Sequence, residues 1–416
     1  MKKLIILFIF LMGYVQSIVI FANENEEGIQ HIQAAFVRNN DLWILLDGRE
    51  QQITDSQKVF NLKSWSYDGK WILYQIKKPS SIPSHLNQYE VWTFNIETNK
   101  HKYIMYDGFN PQWAPNRNII TFQLNNSLNI SDLNRFYNVA LGVGSYSWFP
   151  DGSGFLLSTS ANLLPSGWTN PILYKKSLPT DYEEMNMFEI HSFYTIPKEL
   201  EVGEHKIISI NAGSFEFSPS GKWISFIVSP TASWSMDSNM LCVISDSGKN
   251  FQVLDEIITD IGNPKWAPTT DRLAYIAGGG RIVLGFKNKD LKVKEFPVNA
   301  SLTPENYAEL AFTWKDNETI ITSRVTEAEW SNDPSKHPLP SLYSIDIENN
   351  IQKRITQPPN GQGDYHPQYI KNLKKIIWVR SKDIYSGKNL WIGDTDGSNA
   401  KEWLRNIDEI QIYEKP

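Results

Sequence analysis

The chain has one cysteine in 416 residues. A lone thiol closes no internal disulfide, so the fold must be held by its apolar core. Cys242 lies in the apolar run Met240–Ile244 and reads as a small buried strand residue rather than a reactive thiol. Histidine is also sparse: the seven, at 31, 85, 101, 191, 205, 337 and 366, are dispersed, with no His-Glu-x-x-His helix and no Cys-x-x-Cys pair. No metal or cofactor is expected on this basis. Asp394–Gly397 opens like a calcium loop but lacks the later ligands, and Gly278–Gly280 has no following helix to cradle phosphate. The Gly-x-Ser-x-Gly nucleophile elbow of an α/β-hydrolase is missing too, and no catalytic residue is assigned. Clustered Lys and Arg are absent from a chain of net charge −6, which excludes nucleic acid as a partner.

One long apolar run is present, at the start. Lys2 and Lys3 precede an uncharged stretch from Leu4 to Ala22, followed by the polar Asn23–Glu27. Residues 1–22 read as a signal peptide, or as an N-terminal membrane anchor if uncleaved. Either places the remainder outside the cytoplasm, extracellular, at the cell surface or periplasmic. Cleavage leaves 38 basic against 46 acidic residues, a net charge of −8. No cysteine near the cleavage site offers a lipid attachment point.

The rest of the chain repeats. An aromatic residue, a tight turn and a short apolar strand recur at 65–74 (WSYDGKWILY), 113–122 (WAPNRNIITF), 148–157 (WFPDGSGFLL), 217–226 (FSPSGKWISF), 266–275 (WAPTTDRLAY) and 314–323 (WKDNETIITS), with a weaker copy at 369–378 (YIKNLKKIIW). Pro115, Pro150, Pro219 and Pro268 sit where a fixed φ favours the second position of a β-turn. Third and fourth strands follow in each unit, joined by polar turns such as Asp246–Gly248. Four antiparallel strands per period of about 40–50 residues make a propeller blade. The expected fold is all-β: a β-propeller of four-stranded antiparallel blades, eight in number, with seven as the alternative. Residues 34–54 supply strands two to four of a blade that lacks its first, and Glu409–Tyr413 can provide it, closing the ring. Residues 29–416 then form one propeller domain, with the lead aromatics wedged between blades. Losing one such Trp should cost about 3–5 kcal/mol.

The aromatic-Ser-Pro-Asp-Gly turn, best preserved at 217–226, 148–157 and 65–74, resembles the WD-like repeat of the TolB-like β-propellers. The resemblance extends over nearly all of residues 30–413. It implies the architecture, and for TolB itself an envelope protein that docks partners. The same blades occur in the propellers of prolyl-oligopeptidase-type peptidases and in some oligosaccharide lyases. The chain departs from TolB in its blade count and in starting its first blade almost directly after the apolar run.

Loops between second and third strands emerge on one face of such a ring. Three carry a Trp, a hydroxyl residue and an Asn or Asp: Trp168–Pro171, Trp234–Asp237 and Trp330–Asp333. Trp168, Asn170, Trp234, Asp237, Trp330, Asp333 and His337 are the candidate binding residues, joined by His85 and Tyr385 from two further loops. The competing reading packs each Trp on the next blade's rim while its Ser and Asp cap the local turn. The expected function is a non-catalytic, monomeric module that binds an envelope or extracellular protein, peptide or glycan. The alternative is a carbohydrate-active, lyase-like or hydrolytic enzyme at the channel mouth. Ionisable side chains inside the channel would favour the alternative.

Overall fold

A computed structural model describes residues 31–79, 87–259, 261–281, 285–295, 298–384 and 388–415. The apolar run at 1–22, with the signal-peptide reading that rests on it, lies outside these residues. Among the described residues no helix is long and apolar enough to cross a membrane.

Eight four-stranded antiparallel sheets follow one another along the chain. Blade 2 spans 59–106, blade 3 109–141, blade 4 145–195, blade 5 211–257, blade 6 265–301, blade 7 307–354 and blade 8 363–404. Blade 1 is built from both ends of the chain. Its strands Ala34–Arg38, Asp41–Leu46 and Arg49–Gln52 are completed by Glu409–Ile412, which pairs antiparallel with the first of them, Ala34 opposite Ile412 and Val37 opposite Glu409. The closure holds further: the Glu409 carboxylate accepts the Leu62 backbone N–H at 2.7 Å, and the Tyr413 hydroxyl donates to the Tyr67 carbonyl at 3.1 Å.

The repeated turn works as its residues demand. In blade 2 the Ser66 hydroxyl bonds Asp68 at 2.7 Å and receives the Trp71 N–H at 3.0 Å, fixing the reversal into the second strand. Gly69, Gly152 and Gly221 each take φ near +70°, which a side chain would oppose.

The core lies between blades. Leu156 and Leu173 of blade 4 pack with Ile224, Phe226 and Cys242 of blade 5, and Leu73 and Val91 of blade 2 pack with Trp113 and Phe122 of blade 3. Burial pushes the Cys242 thiol pKa up, which suits an inert core residue. The lead tryptophans are wedged as expected, and each reaches back one blade. Trp65 Nε1–H donates to the Gln411 carbonyl, Trp113 to Ser64, Trp266 to Glu216 and Trp314 to Lys265, at 3.0, 3.3, 3.2 and 3.0 Å. Each acceptor belongs to the residue before the lead position of the preceding blade. Trp148 breaks the pattern, its buried Nε1 having no protein acceptor among the described residues.

Candidate functional site

The acceptor position of that inter-blade bond recurs around the ring. It lies on the first strand of each blade, the sheet edge nearest the centre, and it is polar throughout, from Ser64 and Gln112 to Glu216, Lys265, Thr313 and Gln368. In blades 5 and 6 it is ionisable. Glu216 and Lys265 occupy equivalent places on neighbouring inner strands, near enough that each charge acts on the other. Lys265 also donates from Nζ to the Phe312 carbonyl at 3.2 Å.

A local distortion brings in the third group. The inner strands of blades 3, 5 and 8 bulge two or three residues before the lead aromatic, and Asn110, Ser214 and His366 sit there with φ of +47°, +53° and +49°. A left-handed backbone at a residue with a Cβ costs about 1–2 kcal/mol, and bulges re-aim side chains next to functional sites. His366 is thereby placed within electrostatic reach of Lys265 and Lys388. Lys63 and Glu409, on the inner strands of blades 2 and 1, form a second coupled pair with Lys388 close to Glu409.

These side chains touch solvent yet are surrounded by protein, as groups in a narrow channel must be. Glu216, Lys265 and His366 are all exposed to water, but desolvation dominates their titration. Burial pushes Glu216 up to about 7, with Lys265 opposing. Burial lowers Lys265, with Glu216 opposing, and lowers His366, helped by Lys388 and Lys265. The channel therefore holds a carboxyl raised towards neutrality beside a lysine and a histidine whose charged forms burial disfavours. That set can move protons and stabilise a developing anion. No group of three or more His, Cys, Asp or Glu residues among those described is arranged to hold a metal ion.

The sequence-derived loop residues have separate fates. Trp168 and Trp234 line one cleft of about 430 Å³ between blades 4 and 5. Trp330 packs elsewhere, on Phe286 of blade 6 with ring centroids 5.9 Å apart and against His337 at 4.2 Å, and Asp333 caps the helical turn Pro334–Lys336. That is the packing arrangement weighed against binding. His337 Nε2 is 2.5 Å from the Ser331 carbonyl. Asn170 donates to the Ile196 carbonyl at 2.6 Å, and Asp237 holds Arg281 through two bonds of 2.6 and 2.5 Å. His85 and Tyr385 lie outside the described residues. Sequence reading missed Glu216, Lys265 and His366. Their signal was positional: aligning the repeats on the lead aromatic puts Glu216 and Lys265 in one column.

No family model matches the chain, and no curated protein matches it. Solved structures share its fold. Porphyromonas gingivalis dipeptidyl peptidase 4 superposes with a TM-score of 0.54 at 11% identity, over 91% of this chain and 58% of that one. A puromycin hydrolase S511A mutant complexed with PGG gives 0.50 at 10%, over 86% and 55%. A structure described as the eukaryotic initiation factor gives 0.55 at 12%, over 92% and 87%. At such identities the likeness is one of fold. The chain spans a little over half the length of the two enzymes. The expectation of a purely non-catalytic binding module is corrected here. Structures described as a dipeptidyl peptidase and as puromycin hydrolases recur among those that match, which leaves a binding-only role unsupported.

Proposed function

We propose that the chain is the propeller of an exported hydrolytic or lyase-like, carbohydrate-active enzyme, with its acid–base group at the channel. The observation that carries this reading is Glu216, pushed up to about 7 by burial beside Lys265, which also acts on His366. A carboxyl poised near the working pH both takes a proton from an attacking water or a carbon acid and returns it to a leaving group. Lys265 supplies positive charge where an oxyanion or carbanion develops, and neutral His366 offers a ring N–H as donor. The resemblance of the repeats to TolB-like blades is kept as a proposal of kinship, and export as a proposal from the N-terminal run.

The test is a panel of oligosaccharides, uronate-containing ones included, and short peptides, assayed with wild type and Glu216→Gln. A turnover that Glu216→Gln lowers by about 10²–10⁴-fold, with a pH–rate limb near 7 that the variant lacks, is the expected result. Turnover that survives Glu216→Gln unchanged refutes the assignment.

A further inference from the structure

Blades 4 and 5 are accompanied by three pieces that a four-stranded repeat does not need: the hairpin Leu163–Trp168, the hairpin Glu199–Ile208 and the helical turn Ala232–Met236. None adds a strand to a blade sheet. Residues from all three nevertheless meet around the cleft of about 430 Å³. Leu200 and Ile207 anchor the second hairpin in the core shared by blades 4 and 5, so the cleft stands on a fixed base.

The walls are apolar and open to water. Trp168, Pro230, Ile208 and Trp234 line it, with Ile208 41% and Trp234 72% exposed. Leaving so large an aromatic surface in water is the mark of a contact site. The floor is an acid. Glu256, at the end of blade 5's outer strand, is only 7% exposed. Ser238 Oγ donates to its Oε1 at 2.5 Å, and His205 Nδ1 lies 3.3 Å from Oε2. Room for the carboxylate comes from Gly279, where any Cβ would collide with it.

Among the described residues no Lys or Arg forms an ion pair with this carboxylate. Lys289 acts on Glu256, but its Nζ is bound by the Gly278 and Gly279 carbonyls. Lys206, on the rim, is paired with Glu199 at 2.7 Å, and Glu204 adds a second rim carboxylate. An ionised carboxylate accepts about four hydrogen bonds and is costly to bury without a countercharge.

We propose that this cleft binds a primary ammonium on an apolar stem, as a lysine side chain of a peptide presents it. The ammonium bonds Glu256, its stem lies along Ile208 and Pro230, and the faces of Trp168 and Trp234 attract its charge. A sugar would use the tryptophans alone and has no need of the buried acid. The site is separate from the channel, so it stands or falls independently of the catalytic reading.

The experiment is calorimetric titration of the full chain with hexylammonium, hexanol, hexanoate and cellotetraose. Saturable one-to-one binding of hexylammonium, at least tenfold tighter than hexanol or hexanoate, is expected. Trp234→Ala and Glu256→Gln should each weaken it tenfold or more, and Glu216→Gln should leave it unchanged. Trp234 is exposed enough for its removal to spare the fold, which keeps the test decisive if Glu256→Gln unfolds the protein. Hexanol binding as tightly as hexylammonium, cellotetraose binding in place of the amine, undiminished binding by Trp234→Ala, or no amine binding at all overturns the proposal.

Discussion

Trp148 and Trp314 are equally buried lead aromatics, 6% and 7% exposed, but Trp314 donates its indole N–H to the Lys265 carbonyl at 3.0 Å and Trp148 finds no acceptor among the described residues. Replacing each by Phe removes the same ring and separates packing from hydrogen bonding. The shared packing loss is a void of roughly 40 Å³ at about 24 cal/mol per Å³, or about 1 kcal/mol. Trp314→Phe also loses an inter-blade bond worth about 1 kcal/mol, for a total of about 2. Trp148→Phe instead removes a buried donor whose desolvation costs about 1–3 kcal/mol, which offsets the void. The variants should therefore differ by about 2 kcal/mol, with Trp148→Phe near wild type. Urea unfolding with unchanged m-values reads this as a separation of midpoints. Trp148→Phe destabilising as much as Trp314→Phe would show that indole hydrogen bonds do not clamp the blades.

Two further outcomes follow from buried charge. Glu309 and Arg324 in blade 7 are an enclosed pair at 2.6 Å, with Thr322 bonded to the carboxylate at 2.7 Å and Gln352 to the guanidinium at 2.6 Å. Glu309→Ala strands the guanidinium and should cost about 3–5 kcal/mol in urea unfolding, whereas replacing both residues by Met should cost far less. Glu216 titrates at about 7 when folded against an ordinary 4.5. Its contribution to stability is thus fully present below pH 4.5 and is lost as pH rises through 7. His366, lowered from 6.5, acts oppositely on the acid side, so the readout is the Tm difference between wild type and Glu216→Gln. That difference should grow in favour of the variant from pH 5 to 8; a flat difference contradicts the titration.

The architecture was legible because one physical unit recurs. Aromatic, turn and apolar strand mean the same thing at Trp65 as at Trp266, so seven readable copies fixed the blade and left one to be completed by the ends. The loop tryptophans were legible only as a composition. Whether an indole meets a cleft, as at Trp234, or a neighbouring Phe, as at Trp330, depends on inserted hairpins whose course no local pattern dictates. The channel was hardest. Glu216, Lys265 and His366 are each unremarkable in their own blade, and their meaning arises from closing a ring in which Lys265 acts on both Glu216 and His366. His366 carries a weaker trace still, since a positive φ at a non-glycine leaves nothing in the sequence.

The pairing of Ala34–Arg38 with Glu409–Ile412 has a temporal consequence. The strand that completes the first blade follows seven other blades along the chain, so the first blade's strands wait with one edge unpaired until all seven have been made. Contacts this distant along the chain are slow to form, because their loop entropy must be met before they return anything. Blades 2 to 8, residues 59–404, precede the closing strand along the chain, and the ring shuts only when that strand pairs. Quality control acting before that pairing would meet a ring that is nearly native and still open.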